Sequence, residues 1–184
     1  SKFKGQNYEG GKGASTAQGT HVPLIANWPG RIAAGQVNRD LIGSVDFLPT
    51  IVELAKPPVF GATLPDGRSF LPQLLGQPGA KPREWLYAWY APDGGKDPRW
   101  EFAMSTRHKL YRDGRFFDLA ADPFEKNALK VAGLKGNAAT AATSLQAALD
   151  EFKDARPAHL WEKGNGPGQG KRKAGKGKNK EKQK

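Results

Sequence analysis

A lysine set between glycines, Lys12 in Tyr8-Glu9-Gly10-Gly11-Lys12-Gly13, is the residue of this chain best suited to act on an anion. An ammonium is a compact positive charge, and flanking glycines carry no side chains to hold an anion away from nearby backbone N–H groups. Ten residues later comes the apolar run Val22-Pro23-Leu24-Ile25-Ala26-Asn27-Trp28-Pro29-Gly30, whose residues 24–28 read as a buried strand that holds the loop in place. Glycine-flanked lysines are also common in exposed loops that bind nothing. The pattern is half of an anion site, and the chemistry depends on finding the other half.

The obvious second halves are missing. A phosphate-binding P-loop requires Gly six positions before the lysine and Ser or Thr directly after it, whereas Gln6 and Gly13 stand there, and the expected strand follows the loop instead of preceding it. No Gly-x-Ser-x-Gly elbow supplies a nucleophile, and the histidines at 21, 108 and 159 share no signature. His108 reads as a surface residue in a turn before a strand. His159 lies beside a basic tail, and His21, nine residues after Lys12, can either face the same pocket or simply close the entry to the run that follows. Asp40, Asp46 and Glu53 fit a helix entry and a solvated face; Asp93, Asp97, Asp113 and Asp122 sit beside Gly or Pro in turns, so no internal metal site is expected. Zero cysteines remove disulfides, thiolate zinc sites and a cysteine nucleophile.

Charge points to a partner less than its total suggests. The net charge is +11 over 184 residues, but residues 163–184 hold nine Lys/Arg against one Glu, which leaves only +3 for residues 1–162. From Gly164 onward the composition is too polar to offset the entropy of ordering, so a disordered basic tail is expected at 161–184. It is either a solubilising polycation or an arm for a polyanion; it has no interleaved aromatics to stack on bases, so no specific nucleic acid is expected. No run of 18 apolar residues predicts a membrane span, and Ser1-Lys2-Phe3-Lys4-Gly5 lacks the apolar core of an export signal.

The elements that must position Lys12 follow from periodicity. Asp46 to Ala55 reads as a helix capped by Asp46, with Pro49 in its first turn, Leu48, Ile51, Val52 and Ala55 on one face, and Pro57-Pro58 as its stop. A turn at Asp66-Gly67 leads to a short helix begun by Ser69 and ended at Gly76, carrying Phe70, Leu71, Leu74 and Leu75. From Glu84 the period becomes two: residues 85–90, 100–105, 108–112 and 115–119 read as four antiparallel strands, the last two joined by a two-residue turn at Asp113-Gly114. A helix over 138–155, with Leu145, Ala148, Leu149 and Phe152 on one face, is expected to cover the sheet.

Taken in order, several of these strings carry a resemblance. Gly11-Lys12-Gly13, Thr20-His21-Val22-Pro23, Trp28-Pro29-Gly30-Arg31-Ile32, Asp46-Phe47-Leu48-Pro49-Thr50-Ile51 and Asp66-Gly67-Arg68-Ser69, closed by Phe117-Asp118-Leu119 and Asp122-Pro123-Phe124-Glu125-Lys126-Asn127, resemble the C-terminal part of the arylsulfatase-like sulfatase family over about residues 5–130. The resemblance implies an α/β chain, the C-terminal part of an alkaline-phosphatase-like fold. Residues 1–80 would be the last portion of the catalytic domain, residues 81–160 a four-stranded antiparallel sheet packed on a C-terminal helix, and residues 161–184 the tail. It implies hydrolysis of a sulfate ester by a formylglycine, made in a C/S-x-P-x-R motif, whose hydrate attacks sulfur beside a calcium ion held by Asp, Asn or Gln side chains. Lys12 falls on the family's sulfate-contacting lysine, and His21 is the one further candidate for a pocket contact.

This chain departs from the family where the chemistry is done. It has neither cysteine nor Ser-x-Pro-x-Arg, and it lacks the family's paired aspartates and the Asp-Asn or Asp-His pair that precedes the lysine loop. The expectation is therefore a C-terminal fragment, inactive alone, whose formylglycine and calcium ligands lie in a missing N-terminal part, with a periplasmic or secreted destination for the full-length protein. The alternative is a non-catalytic polyanion-binding module that uses the basic tail.

Overall fold

A computed structural model describes residues 2–3, 6–7, 10–56, 66–91 and 99–155. Pro57-Pro58, Asp93, Asp97, His159 and the basic tail lie outside the described residues. Two-residue strands β1 (Lys2–Phe3) and β2 (Gln6–Asn7) pair antiparallel, and a one-turn helix α1 (Ala17–Thr20) follows. A 3-10 turn at Ser44–Asp46 opens into α2 (Phe47–Ala55), and α3 (Leu71–Leu74) ends at Gly76, whose φ is +62°. The second half holds β3 (Leu86–Tyr90), β4 (Trp100–Met104), β5 (His108–Tyr111) and β6 (Phe116–Asp118), then a 3-10 turn at Val131–Gly133 and α4 (Gly136–Glu151).

The four strands form one antiparallel sheet in the order β3-β4-β5-β6, with Leu86 opposite Met104, Phe102 opposite Tyr111 and Leu110 opposite Phe116. Because side chains alternate across a strand, the sheet has two distinct faces. On one, Ala103, Leu110 and Phe116 pack against Ala142, Leu145, Ala148 and Leu149 of α4, with Phe152 stacked on Tyr87 at 4.5 Å. On the other lie Phe102, Tyr111 and Phe117, flanked by Trp100 and Met104. Each fully buried Leu or Phe contributes about 1.5–3 kcal/mol, so this half carries most of the driving force for folding. Arg112 fastens helix to sheet: it donates to Glu101 Oε1 at 2.9 Å, to Asp150 Oδ1 at 2.9 Å and to the Leu149 carbonyl.

Local chemistry revises several expectations. The loop joining β5 to β6 has three residues, because Tyr111 N–H donates to the Arg115 carbonyl at 2.9 Å and Gly114 N–H to the Tyr111 carbonyl at 2.9 Å. Gly114 takes φ +88°, the left-handed residue that a three-residue hairpin requires. His108 is not a surface residue: it lies within β5, 7% exposed and stacked on Phe116, and burial pushes its pKa down. Residues 24–28 form no strand; no described strand pairs with them, and Val22, Leu24 and Ile25 are exposed. A strand's backbone groups need partners, and without them the run stays irregular.

The helix at 47–55 is where expected, but with two differences. Its apolar face is turned to solvent, with Leu48, Ile51 and Leu54 exposed while Pro49 and Thr50 are buried. Asp46 does not cap it. Its carboxylate instead accepts from Gly43 N–H at 2.8 Å, from Arg68 N–H at 2.8 Å and from the Arg83 guanidinium. Burial pushes the Asp46 pKa up, but the hydrogen bonds from Arg83, Arg68 and Gly43 outweigh it and hold the carboxyl below its ordinary range. Thr50 extends this joint, donating to the Asp46 carbonyl at 2.6 Å and accepting from Phe70 N–H at 3.0 Å.

Candidate functional site

Lys12 stands at the tip of a tight turn. Ala14 N–H donates to the Gly11 carbonyl at 2.7 Å, which makes Gly11-Lys12-Gly13-Ala14 a four-residue turn with Gly13 at its third position and φ +83°. A positive φ there is the mark of a type II turn, which favours glycine. On the far side of the loop, a Cβ at Gly19 would meet the Ala14 carbonyl at 2.2 Å and the Gly11 carbonyl at 2.4 Å, so the chain can fold back on the turn only through a glycine. The Lys12 side chain is exposed at this tip, and among the described residues it makes no ion pair. A cation presented in this way remains available to an anion.

His21 closes α1: its N–H donates to the Ala17 carbonyl at 3.0 Å and its side chain is exposed. No hydrogen bond or ring contact joins it to Lys12. Both residues border the same short loop, and the structure brings them no closer than that.

The turn is tied to the second half of the molecule by side chains that sequence reasoning had not assigned a role. Trp100 Nε1 donates to the Gly13 carbonyl at 3.1 Å. Lys109 Nζ donates to the Ser15 carbonyl and to Glu125 Oε1 at 2.9 Å, and it lies 3.8 Å above the Phe102 ring. The Tyr111 hydroxyl meets Ser15 Oγ at 2.8 Å and also Glu125 Oε2. One phenolic proton cannot serve both contacts; donated to the carboxylate, it leaves the Ser15 hydroxyl to donate to Tyr111.

Burial dominates the electrostatics here. The Lys109 and Glu125 side chains are 2% and 3% exposed. Burial pushes the Lys109 pKa down against the opposing pull of Glu125, and burial together with Glu125 pushes the Tyr111 phenol up, keeping it a neutral donor. A signal for these residues was present in the sequence. Lys109 and Tyr111 alternate along a strand on the same face as Phe102, and Glu125 sits in the Asp-Pro turn already noted, but alternation alone cannot say what lies over that face.

The chain's own donor set does not fit the calcium and formylglycine that the resemblance implies. Among the described residues no group of three or more His, Asp or Glu is placed to hold a metal ion, and neither precursor residue occurs in a C/S-x-P-x-R motif. Among the described residues no helix is long and apolar enough to cross a membrane.

Comparisons with known proteins agree on one family. Residues 14–154 match the family model described as N-sulphoglucosamine sulphohydrolase, C-terminal. The chain is 38% identical to human arylsulfatase A over 117 residues, covering 61% of this chain and 22% of that enzyme. It is 36% identical to rat steryl-sulfatase over 85 residues, covering 44% and 14%, so it spans well under a third of these relatives. Among solved structures it is similar to a 2-O GAG sulfatase, with a TM-score of 0.41 and 22% identity, over 58% of this chain and 23% of that one. The match to the family model covers most of the chain, including the sheet, α4 and the Ser15 contact; on it, this chain belongs to the sulfatase family, in that family's C-terminal region.

Proposed function

We propose that the chain is the C-terminal portion of a sulfuric ester hydrolase of the arylsulfatase type, and that Lys12 is its contact to the sulfate group. The observation that carries this reading is an exposed ammonium at the tip of a glycine turn whose flanks are pinned to a buried sheet. A fixed cation stabilises negative charge that grows on the sulfuryl oxygens as the ester bond breaks, and does so without reorganising at the moment of reaction. The turn sets where that charge stands. His21, on the same loop, is a further pocket contact in this reading.

The nucleophile and the calcium ligands are assigned to the rest of the enzyme, since the sequence has no C/S-x-P-x-R motif and no group among the described residues fits a metal ion. Residues 1–80 then form the end of the catalytic domain and residues 81–160 a C-terminal subdomain. The exposed apolar residues Val22, Ile25, Leu48 and Ile51 support this, because burial against a larger partner domain accounts for them.

The isolated chain is expected to turn over no 4-nitrophenyl sulfate, with or without calcium; turnover that vanishes in Lys12→Ala would overturn the fragment reading. In the complete enzyme, Lys12→Ala is expected to lower kcat by about 10²–10³-fold, the scale for loss of one transition-state donor. An unchanged kcat would remove Lys12 from the chemistry.

A further inference from the structure

Burying Lys109, Glu125 and Tyr111 together is an expensive way to close a sheet face. Desolvating two charges is offset only by good geometry, and apolar residues of similar size often do as well or better. Glu125 adds to the cost with a φ of +54°, left-handed for a residue with a side chain, about 1–2 kcal/mol. The cluster's contacts beyond its own sheet and turn go to Ser15, through the backbone carbonyl and the hydroxyl. Ser15 lies three residues from Lys12, just after the turn ends.

We propose that Lys109, Tyr111 and Glu125 are positioning residues that grip Ser15 and thereby fix where the Lys12 ammonium stands. The inference rests on the reading of Lys12 as the sulfate contact. β5 is an interior strand, paired on both sides, so Lys109 and Tyr111 project from backbone hydrogen-bonded along both edges. Glu125 holds both groups at once, with one carboxylate oxygen on Lys109 and the other on Tyr111. Trp100 grips Gly13 from β4, so the turn is held at residues 13 and 15 and Lys12 extends one residue beyond the nearer grip. A lysine on a loose loop would sample many positions. Held at two points, it returns to one.

Tyr111→Phe is the cleanest probe, since it removes one oxygen and leaves the ring packing against Phe102 and Phe117. In the complete enzyme with 4-nitrophenyl sulfate, it is expected to lower kcat by about tenfold, within the roughly hundredfold that a misplacement of about 1 Å can cost. The same substitution in a Lys12→Ala background is expected to change kcat little, because residues that act through one another do not add. Ser15→Ala should reproduce the Tyr111→Phe effect without disturbing the sheet. Equal fold-losses in both backgrounds, or none in either, would overturn the inference. Lys12→Ala alone tests the sulfate role, and hydrogen exchange tests the grip separately. Exchange across residues 11–16 should quicken in Tyr111→Phe while the β3–β6 amides stay unchanged, and unaltered exchange there would overturn the inference whatever the turnover.

Discussion

The two halves of this molecule spend their apolar residues in opposite ways. In residues 86–151, Phe102, Leu110, Phe116, Leu145 and Leu149 are each 2% exposed or less, enclosed between sheet and helix or beneath the lysine loop. In residues 10–80, Ile25 is 89% exposed, Val37 78% and Ile51 57%, and beyond the buried Phe70 and Leu71 this half is joined by polar contacts at Asp46 and Ser15. Apolar burial is non-directional and self-sufficient, whereas a polar joint fixes geometry at a desolvation cost. One half makes its own core. The other leaves much of its apolar surface bare, and it carries the exposed lysine.

The most disruptive way to test this contrast is to cut into the self-sufficient half. Phe116→Ala is expected to cost about 3–5 kcal/mol, because a fully enclosed ring leaves a cavity. Urea unfolding followed by circular dichroism measures it, and a loss below about 1 kcal/mol, outside that range, would mean this core is not the main support. Asp46→Asn should follow, at about 3 kcal/mol, since it leaves the Arg83 guanidinium buried without its counter-charge.

The same aspartate gives the contrast a pH signature. Its folded pKa is depressed, so its contribution is fully present above the ordinary carboxylate value of 3.8 and is lost as pH falls below that value. Stability of Asp46→Asn measured from pH 6 down to pH 3 should lack this part of the acid-induced fall; an identical slope would assign the fall to other carboxylates. The smallest effect is expected at Ile51. Ile51→Ser should change the stability of this chain by less than about 0.5 kcal/mol, as at an ordinary exposed site. In the complete enzyme the same substitution should cost about 1–3 kcal/mol if that face is covered there; equal effects in both would show that it stays bare.

The sheet and its helix were legible because both of their periods are local. Alternating aromatics at 85–90 and 100–104 permit one register against the core, and Leu145, Ala148 and Leu149 share a helical stripe. The hairpin's loop length was not legible, since Asp113-Gly114 serves a two-residue turn or the end of a three-residue one, and the Tyr111–Arg115 pairing decides between them. The run at 24–28 misled because apolarity signals burial without saying where the covering surface comes from. Lys109 was missed for the opposite reason. A charged residue in a strand reads as solvent-facing until a loop 94 residues earlier in the chain is seen to lie over it.

Sequence alone determined the lysine set between glycines, the four-strand and helix order, and the absence of a nucleophile motif, because each is written in residue types at short spacing. Only the tertiary structure decided that the lysine turn is held at Gly13 by Trp100 and at Ser15 by Lys109 and Tyr111, that Asp46 joins three segments, and that His108 is interior. Those facts depend on which distant backbone comes to rest over which side chain, and close packing between segments far apart in sequence is fixed only once the whole core has formed.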